Sequence, residues 1–363
     1  MYNERFSGEG FPDWAVQDGG LPHRPDLGFP RNYFFMPGLW RAYDNFWNNK
    51  LGPDGVGLQE RFALAWKTVA SRLVTVSNVF YDIFNEPFPG SAAPLSAQPF
   101  GFRPFDRKLS ALNRRALQAI REVEPDKLVL YEPSVLFNNG SRTFHESLGD
   151  ARTGLSFHNY CVATTPGMPR LRGPLQARVC ARAEQRVFTN ALDHAHSADG
   201  ALLMTEFGCT DDLQNIERMC MLADRNMVSW QYWAYFNADP SAARPEENLI
   251  VSLGEPRVAP NLNQAKIDVL RRPYPRAVAG TPLAFEFDPR SCRFSFSYST
   301  AGPNGSGFAA EALTEISLPS NIFDADSSIT VLGGSVAERD PDGELLWLLA
   351  DPGAVRVDVV VEA

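Results

Sequence analysis

The sequence predicts an α/β protein in which a TIM-type β/α barrel is followed by a C-terminal all-β sandwich. Up to about residue 275, apolar segments of strand length alternate with amphipathic helical segments, a pattern typical of parallel β/α architecture. After Pro275 the pattern changes to short β segments separated by Gly, Pro, Asn and Asp. We therefore predict a β/α-barrel domain over residues 1–275 and a β-sandwich domain over residues 276–363.

The individual elements of the barrel domain follow from periodicity. The first 55 residues mix Gly, Pro and aromatic residues without a clear period and are predicted to be a loop. A helix is predicted near 58–76, where apolar residues recur at spacings of three and four, and the apolar run 78–87 is predicted to be a buried strand. Further helices are predicted near 106–123, 181–197, 212–225 and 262–272, and further strands at 127–133, 155–160, 201–208 and 227–237.

The net charge of the chain is −9, and most of it lies in the second predicted domain. Residues 276–363 contain five arginines, no lysine and thirteen acidic residues, which gives −8. Bulk electrostatics therefore does not attract nucleic acid or an anionic membrane. We predict no nucleic-acid partner and expect an uncharged substrate.

The five cysteines contain no C-x-x-C pair, so a zinc site is not expected. Cys161 with Cys180, or Cys209 with Cys220, could form disulfides in an exported protein, and buried free thiols are the alternative. The sequence has no apolar run of membrane-spanning length, and its start lacks the pattern of a signal peptide. Secretion is expected for the full-length protein.

Two glutamates follow apolar strands. Asn85-Glu86-Pro87 ends one predicted strand and Thr205-Glu206-Phe207-Gly208 ends another, 120 positions later. Strand carboxyl ends face the active site of a β/α barrel, and this separation suits strands three β/α units apart. Cleavage of a glycosidic bond needs two carboxyl groups, one on each side of the sugar. We predict that Glu86 and Glu206 are catalytic, although a single strand-end glutamate is more often a cap or an ion-pair partner.

Together with the HNY segment at 158–160 and the later YW, these motifs resemble glycoside hydrolase family 5. The resemblance implies a (β/α)8 TIM-type barrel and a retaining mechanism. It implies that Glu86, at the end of the fourth strand, is the acid/base and that Glu206, at the end of the seventh, is the nucleophile. Asn85 would bond the 2-hydroxyl of the sugar.

The resemblance extends to residues around this pair. His158 and Tyr160 match the His-x-Tyr of the sixth strand, and Tyr160 would donate to the nucleophile and keep it ionised. Trp233 matches the eighth-strand aromatic residue beneath the sugar, with Trp230 the less favoured choice. From the residues alone, these side chains could equally be core or barrel packing. Glu132, in LYEP, ends another strand and would contact substrate or serve a structural role.

Within the family, the closer resemblance is to endoglycoceramidases. It is carried by YNERFSGEGFPDWAV, YDNFW, YDIFNEPFPG, LYEP and the β-rich tail. It implies hydrolysis of the bond between glycan and ceramide, with a glycolipid or oligosaccharide as partner, transient contact with membrane lipid, no protein partner, and no metal or organic cofactor. The loop 88–105, with Phe88, Phe100, Phe102 and Phe105, would provide an apolar lip for the lipid.

Two other functions stay open. One is a β-1,4-glucanase or mannanase of the same family, and the other is a non-catalytic protein that binds sugar or lipid. The non-catalytic alternative arises because only the last five of the eight barrel strands of the family can be placed in this sequence. The arginine that the family has on its second strand has no counterpart here. The histidine and aspartate that end the third strand in the resembling group also have none. An N-terminally truncated barrel is therefore expected, with two exposed sheet edges.

Overall fold

The structure is a computed structural model that describes residues 2–8, 10–96, 101–161, 173–238 and 244–363. The chain divides into two compact units. The first comprises Met1–Asp211 and Trp230–Asn261, and the second comprises Asp212–Ser229 and Leu262–Ala363. The domain boundary at residue 275 stays a prediction.

The helices and strands of the described residues are numbered in chain order. The α-helices are α1 (Asn32–Phe35), α2 (Pro37–Trp47), α3 (Leu58–Leu73), α4 (Ala93–Ser96), α5 (Arg103–Arg121), α6 (Gly173–Ala198), α7 (Leu213–Arg225) and α8 (Gln264–Leu270). The strands are β1 (Tyr81–Asp82), β2 (Val129–Tyr131), β3 (Thr153–Asn159), β4 (Ala201–Phe207), β5 (Ser229–Trp230), β6 (Tyr274–Ala277), β7 (Thr281–Asp288), β8 (Arg293–Ser299), β9 (Leu313–Ser317), β10 (Ser328–Leu332), β11 (Gly334–Arg339), β12 (Leu345–Ala350) and β13 (Arg356–Glu362). Short 3-10 helices lie at Glu4–Phe6, Asp13–Ala15, Gly90–Ala92, Val135–Asn139 and Pro245–Glu247.

The predicted β/α alternation forms a five-stranded sheet in the order β1-β2-β3-β4-β5. The pairs β1–β2, β2–β3 and β3–β4 are parallel, and all seven residues of β3 are buried. Strands that neighbour in sequence also neighbour in the sheet, as in a β/α barrel. Parallel pairing puts the carboxyl ends of β1 to β4 at one edge, where the predicted motifs lie.

The prediction of a continuous loop over the first 55 residues is wrong, because this segment contains α1 and α2. Helix α2 starts with Pro37 at its first turn, a position where the missing N–H costs nothing. Leu39, Ala42, Tyr43 and Phe46 follow at spacings of three and four and are all buried. Glycine and proline on either side obscured this short amphipathic pattern.

Aromatic packing fixes the N-terminal segment within the first unit. The ring of Phe11 stacks on Tyr2 at 4.3 Å and meets Phe46 edge-on at 4.8 Å and Phe84 at 5.9 Å. Such pairs contribute about 0.5–1.5 kcal/mol each beyond burial. Since Phe84 precedes the Asn85-Glu86 motif directly, this cluster joins the N-terminal segment to the end of β1.

The second unit contains the predicted β sandwich. Its two antiparallel four-stranded sheets have the orders β10-β13-β8-β7 and β11-β12-β9-β6. Alternate residues point inward, as in β13, where Val357, Val359 and Val361 are buried. Strands β6, β9 and β11 were not predicted, because their sequences YPRA, LTEIS and GSVAER lack an apolar run.

One disulfide is present among the described residues. Cys161 and Cys180 are bonded, with sulfurs 2.06 Å apart, and Cys209, Cys220 and Cys292 are free thiols. Of the two pairings that the sequence left open, the structure has the first. None of the described helices is long and apolar enough to cross a membrane.

Two buried histidines lie together in the first unit. His145 stacks on Tyr131 at 4.3 Å and shares a 3.0 Å hydrogen bond with Asn113, and His194 lies 3.0 Å from the Tyr131 hydroxyl. Burial, with the neighbouring His194, lowers the pKa of His145 to about 3, and burial lowers the pKa of His194 to about 4. Both rings are therefore neutral in the folded protein near neutral pH.

Alkylation should test the disulfide. In the unreduced, denatured protein we expect iodoacetamide to label three cysteines, because Cys161 and Cys180 are bonded. After reduction all five should be labelled, as counted by mass spectrometry. Five labels before reduction would contradict the bond.

Acid should destabilise the first unit through the buried histidines. In the unfolded chain, His145 and His194 have a pKa near 6.5 and bind protons as the pH falls below that value. In the folded protein their lowered pKa values keep both rings neutral over the same range. The stabilisation is therefore complete above about pH 6.5 and is lost as the pH falls toward the folded values, by on the order of a few kcal/mol. Urea unfolding across this range measures it. His194→Gln should reduce the loss, whereas the exposed His196→Gln should leave it unchanged.

Candidate active site

A cavity of about 790 Å³ opens in the first unit at the carboxyl ends of the strands. Five predicted site residues line it: Asn85, Glu86, Tyr160, Glu206 and Trp233. A smaller cavity of about 280 Å³ is lined by the other two predicted residues, Glu132 and His158, and shares Asn85, Glu206 and Trp233 with the larger one. The fold thus brings all seven residues to one place, although they are spread over 149 positions of sequence.

The two predicted catalytic carboxylates face each other across a short gap. An oxygen of Glu86 and an oxygen of Glu206 lie within 4.8 Å of one another. Retaining glycosidases separate their carboxyl groups by about 5–5.5 Å, whereas inverting enzymes leave about 6.5–9.5 Å for a water molecule. This short gap between oxygens agrees with the spacing of retaining enzymes and is shorter than that of inverting ones.

A register shift between β3 and β4 aligns this pair with His158. Phe157 pairs with Met204, but the next residue, His158, pairs with Glu206, so that Thr205 is an extra residue. Without this bulge His158 would pair with Thr205, and the side chain of Glu206 would fall on the other face of the sheet. The irregularity therefore directs Glu206 toward the cavity.

His158 lies between the two glutamates and a third. Its Nδ1 is 2.9 Å from Glu86 Oε1 and 3.1 Å from Glu206 Oε2, and its Nε2 is 3.3 Å from Glu132 Oε1. The ring is buried, with 1% exposure of its side chain. A buried cation beside three carboxylates offsets part of their mutual repulsion.

Two further donors bind the carboxylates that are predicted to be catalytic. The Tyr160 hydroxyl donates to Glu206 Oε2 at 2.9 Å, and Asn138 Nδ2 donates to Glu86 Oε1 at 2.7 Å. Asn138 is 5% exposed and lines the larger cavity. Sequence reasoning missed it, because the only signal is an asparagine pair in a loop, and such residues usually form turns.

In each carboxylate, the described part of the chain contacts one oxygen and leaves the other without a partner. Glu86 Oε1 contacts Asn138 and His158, and Glu206 Oε2 contacts Tyr160 and His158. Within the described ranges, Glu86 Oε2 and Glu206 Oε1 have no hydrogen-bond partner. One oxygen of each carboxylate is thus held by the protein, and the other is available to a substrate.

The backbone of Glu86 has an uncommon conformation. Its φ is +48°, in the left-handed region that residues other than glycine seldom adopt. Its N–H donates to Glu132 Oε2 at 2.8 Å. Glu132 is 4% exposed and does not line the larger cavity.

Charge and burial shift the pKa values of this cluster. Burial, with the nearby carboxylates of Glu86 and Glu132, raises the pKa of Glu206 above its usual range, although His158 and the Tyr160 hydrogen bond act in the opposite direction. Burial disfavours a charged His158, but Glu132 and Glu206 outweigh it and raise its pKa well above normal. Tyr160 lowers the pKa of Glu206, as expected from sequence, but burial has the larger effect.

Trp233, not Trp230, faces the cavities. Trp233 is 37% exposed, lines both cavities, and donates its backbone N–H to Phe207 at 2.9 Å. Trp230 instead packs edge-on against Phe207, with ring centroids 5.3 Å apart. The exposed indole of Trp233 is available to stack on a ring.

The apolar lining of the larger cavity comes mainly from the N-terminal segment. Its apolar lining residues are Phe11, Pro12, Trp14, Ala15, Phe29, Pro30, Tyr33, Phe34, Tyr43, Leu58, Phe62, Ala65, Phe84, Phe88, Val135, Leu136 and Trp233. Phe88 lines the cavity, whereas Phe102 and Phe105 do not, and Phe100 of the expected lip lies outside the described residues. Phe88 and Phe105 are both buried in the core, and Phe102 packs against it. The described phenylalanines of the loop 88–105 therefore contribute mainly to the core.

Comparison with known proteins agrees with this geometry. The family model for cellulase (glycosyl hydrolase family 5) matches residues 40–239, and that of the glycoside hydrolase family 5 C-terminal domain matches residues 272–361. Endoglycoceramidase I of Rhodococcus hoagii (strain 103S) is 27% identical over 98% of this chain and 67% of its own length. Endoglycoceramidase of Hydra vulgaris is 26% identical over 85% of this chain and 59% of its own.

Solved structures give the same result. Endo-glycoceramidase II from Rhodococcus sp., in a five-membered iminocyclitol complex, superposes with a TM-score of 0.77 at 26% identity, over 99% of this chain and 77% of its own. The ganglioside GM3 complex of the same enzyme gives a TM-score of 0.74 at 26% identity. This match covers 98% of this chain and 74% of the enzyme's own chain. The chain thus spans between three-fifths and about two-thirds of the two curated relatives.

The fold is that of a (β/α)8 barrel with a C-terminal β sandwich, and the described sheet holds five parallel strands of such a barrel. The barrel match covers more than half of the sequence, and the tail is matched separately. The chain belongs to glycosyl hydrolase family 5, the cellulase family.

Proposed function

We propose that this chain is a retaining glycoside hydrolase that cleaves the β-glycosidic bond between the glycan and the ceramide of glycosphingolipids. The observation that carries the chemistry is the gap of less than 4.8 Å between oxygens of Glu86 and Glu206. The substrate class is supported by the apolar wall of the cavity and by relatives named endoglycoceramidase.

In the first step, Glu206 Oε1 attacks the anomeric carbon while Glu86 Oε2 gives its proton to the leaving oxygen. The bond to ceramide breaks, and a glycosyl ester forms on Glu206. In the second step, Glu86 takes a proton from water, whose oxygen displaces Glu206 from the sugar. Both glutamates return to their starting protonation states. All protons and bonds in the two steps are accounted for by the glutamates, the substrate and water, so the reaction needs no cofactor.

The hydrogen bonds around each glutamate suit its proposed role. The Tyr160 hydroxyl and His158 favour the ionised form of Glu206 as a nucleophile, whereas burial and the neighbouring carboxylates oppose it and raise the pKa of Glu206. Asn138 and His158 share Glu86 Oε1, so that the proton of Glu86 belongs on Oε2. Asn85 and Trp233 border the same space, and we propose that they bind the 2-hydroxyl and the face of the sugar.

The lining of the larger cavity matches the two parts of a glycolipid. It contains carboxylates and amides as well as several phenyl rings. Apolar burial contributes about 25 cal/mol per Å² of area, so several rings can recognise part of a ceramide chain. A soluble glucan offers no such apolar surface, which favours glycolipid over the glucanase alternative.

Exposed aromatic residues at the cavity suggest how lipid arrives. Trp14 and Phe34 line the cavity and are 47% and 44% exposed, and the ring of the exposed Phe35 lies 6.3 Å from that of Phe34. We propose that these residues touch the lipid surface transiently while the substrate enters.

Substitution of the glutamates tests the division of roles. Glu206→Gln should abolish turnover of every substrate, because no other group attacks the anomeric carbon. Glu86→Gln should lose about 10²–10⁴-fold on glycosylceramide but less on an aryl glycoside whose leaving group needs no proton. Azide should rescue Glu86→Ala on the aryl glycoside. The exposed Glu146→Gln serves as control, and an equal response of Glu86 and Glu206 variants to leaving-group acidity would refute the roles.

Substitution of the cavity wall tests the substrate. Trp14→Ser with Phe34→Ser should lower kcat/KM on glycosylceramide about 100-fold, since each ring contributes on the order of 1–2 kcal/mol. The aryl glycoside shares the same chemistry and should be spared. Phe308→Ser, at an equally exposed aromatic residue of the second unit, should change neither rate. Rapid cleavage of carboxymethylcellulose without cleavage of glycosylceramide would instead support the glucanase alternative.

A further inference from the structure

Glu132 is a buried carboxylate that touches both neighbouring strand ends. It follows β2, which lies between β1 and β3 in the sheet. Its Oε2 accepts the backbone N–H of Glu86 at 2.8 Å, and its Oε1 lies 3.3 Å from His158 Nε2. Glu132 is 4% exposed and lines the smaller cavity but not the larger one. Its polar contacts are with Glu86 and His158, which surround the proposed reaction.

The carboxylates around His158 favour protons on both ring nitrogens. Nδ1 hydrogen-bonds Glu86 and lies 3.1 Å from Glu206 Oε2, whereas Nε2 makes no hydrogen bond among the described residues and lies 3.3 Å from Glu132 Oε1. A neutral imidazole carries only one N–H, so one of its nitrogens would present a lone pair to a carboxylate oxygen. Asp82 of β1, a further acid, and Tyr160 also lie near the ring. The charged groups that the described structure places against His158 are carboxylates, which favours the imidazolium.

The backbone contact has a separate consequence. The left-handed conformation of Glu86 is unfavourable for a residue with a Cβ. A hydrogen bond from its N–H to a charged acceptor is stronger than one to a neutral acceptor. Glu132 therefore fixes the turn from which the Glu86 side chain enters the cavity.

We propose that Glu132 is a positioning residue for both catalytic glutamates. It fixes the backbone of Glu86, and it keeps His158 as an imidazolium whose Nδ1–H lies between Glu86 and Glu206. That N–H binds Glu206 while Glu206 is ionised, and it binds Glu86 once the proton of Glu86 has gone to the leaving group. The His158 proton itself is not transferred. This inference rests on the proposed roles of Glu86 and Glu206.

The protonation state of His158 tests the proposal without any measurement of activity. Side-chain ¹⁵N NMR of the histidine-labelled full chain, assigned by loss of one signal in His158→Asn, should show both ring nitrogens protonated at about pH 7, since the neighbouring carboxylates favour the cation. In Glu132→Gln the ring should be neutral at this pH. A neutral His158 in the wild type, or an unchanged imidazolium in Glu132→Gln, would overturn the proposal.

Kinetics separates the two contacts of Glu132. Glu132→Gln retains an acceptor for the Glu86 N–H and loses only the charge, whereas Glu132→Ala loses both. We expect kcat to fall about ten-fold in Glu132→Gln and about 100-fold in Glu132→Ala, with KM little changed. Asp106→Asn, which removes a buried carboxylate outside the cluster, is the matched control and should retain kcat.

The loss should be similar on glycosylceramide and on the activated aryl glycoside, because both glutamates are affected. A loss confined to KM, or an equal loss in Asp106→Asn, would show a general structural role and contradict the proposal. Failure of the wild type to cleave either substrate would refute the proposed function instead, and the NMR result would still decide the state of His158.

Discussion

The active site depends on one buried cluster of charges, in which His158 lies among three glutamates. Glu86, Glu132 and Glu206 follow or end different strands, and His158 contacts an oxygen of each. Three carboxylates in this small buried volume would repel one another and take up protons without a cation between them. The histidine therefore joins the ends of four strands, and the distance between the two proposed catalytic glutamates follows from these contacts.

The parallel sheet makes this cluster possible, and a local irregularity completes it. Parallel neighbours end at the same edge, so residues far apart in sequence meet there without long loops. The bulge at Thr205 then pairs His158 with Glu206 and directs the carboxylate into the cavity. Regular pairing would supply the same residues in an unproductive orientation. One extra residue in β4 thus contributes to the orientation of Glu206.

The cavity joins this polar cluster to an aromatic wall from a different part of the chain. Rings of the N-terminal segment, such as Phe11 and Tyr33, pack against Phe84 and Phe88, which flank the Asn85-Glu86 motif. The motif that carries the proposed acid/base is thereby held by apolar contacts on both sides. The reacting carboxylates and the proposed lipid-binding surface consequently belong to one packed structure in the first unit.

The sequence by itself determined the β/α alternation and the sandwich, and it predicted the pair of glutamates, because periodicity and strand-end motifs are local properties. It could not determine the helix α2, whose short amphipathic pattern lies among glycines and prolines, or which cysteines pair. Only the tertiary structure decided that Asn138 reaches Glu86, that Glu132 holds its backbone, and that Phe105 belongs to the core rather than the cavity. Each of these depends on strand register and on packing between distant segments, which no local pattern encodes.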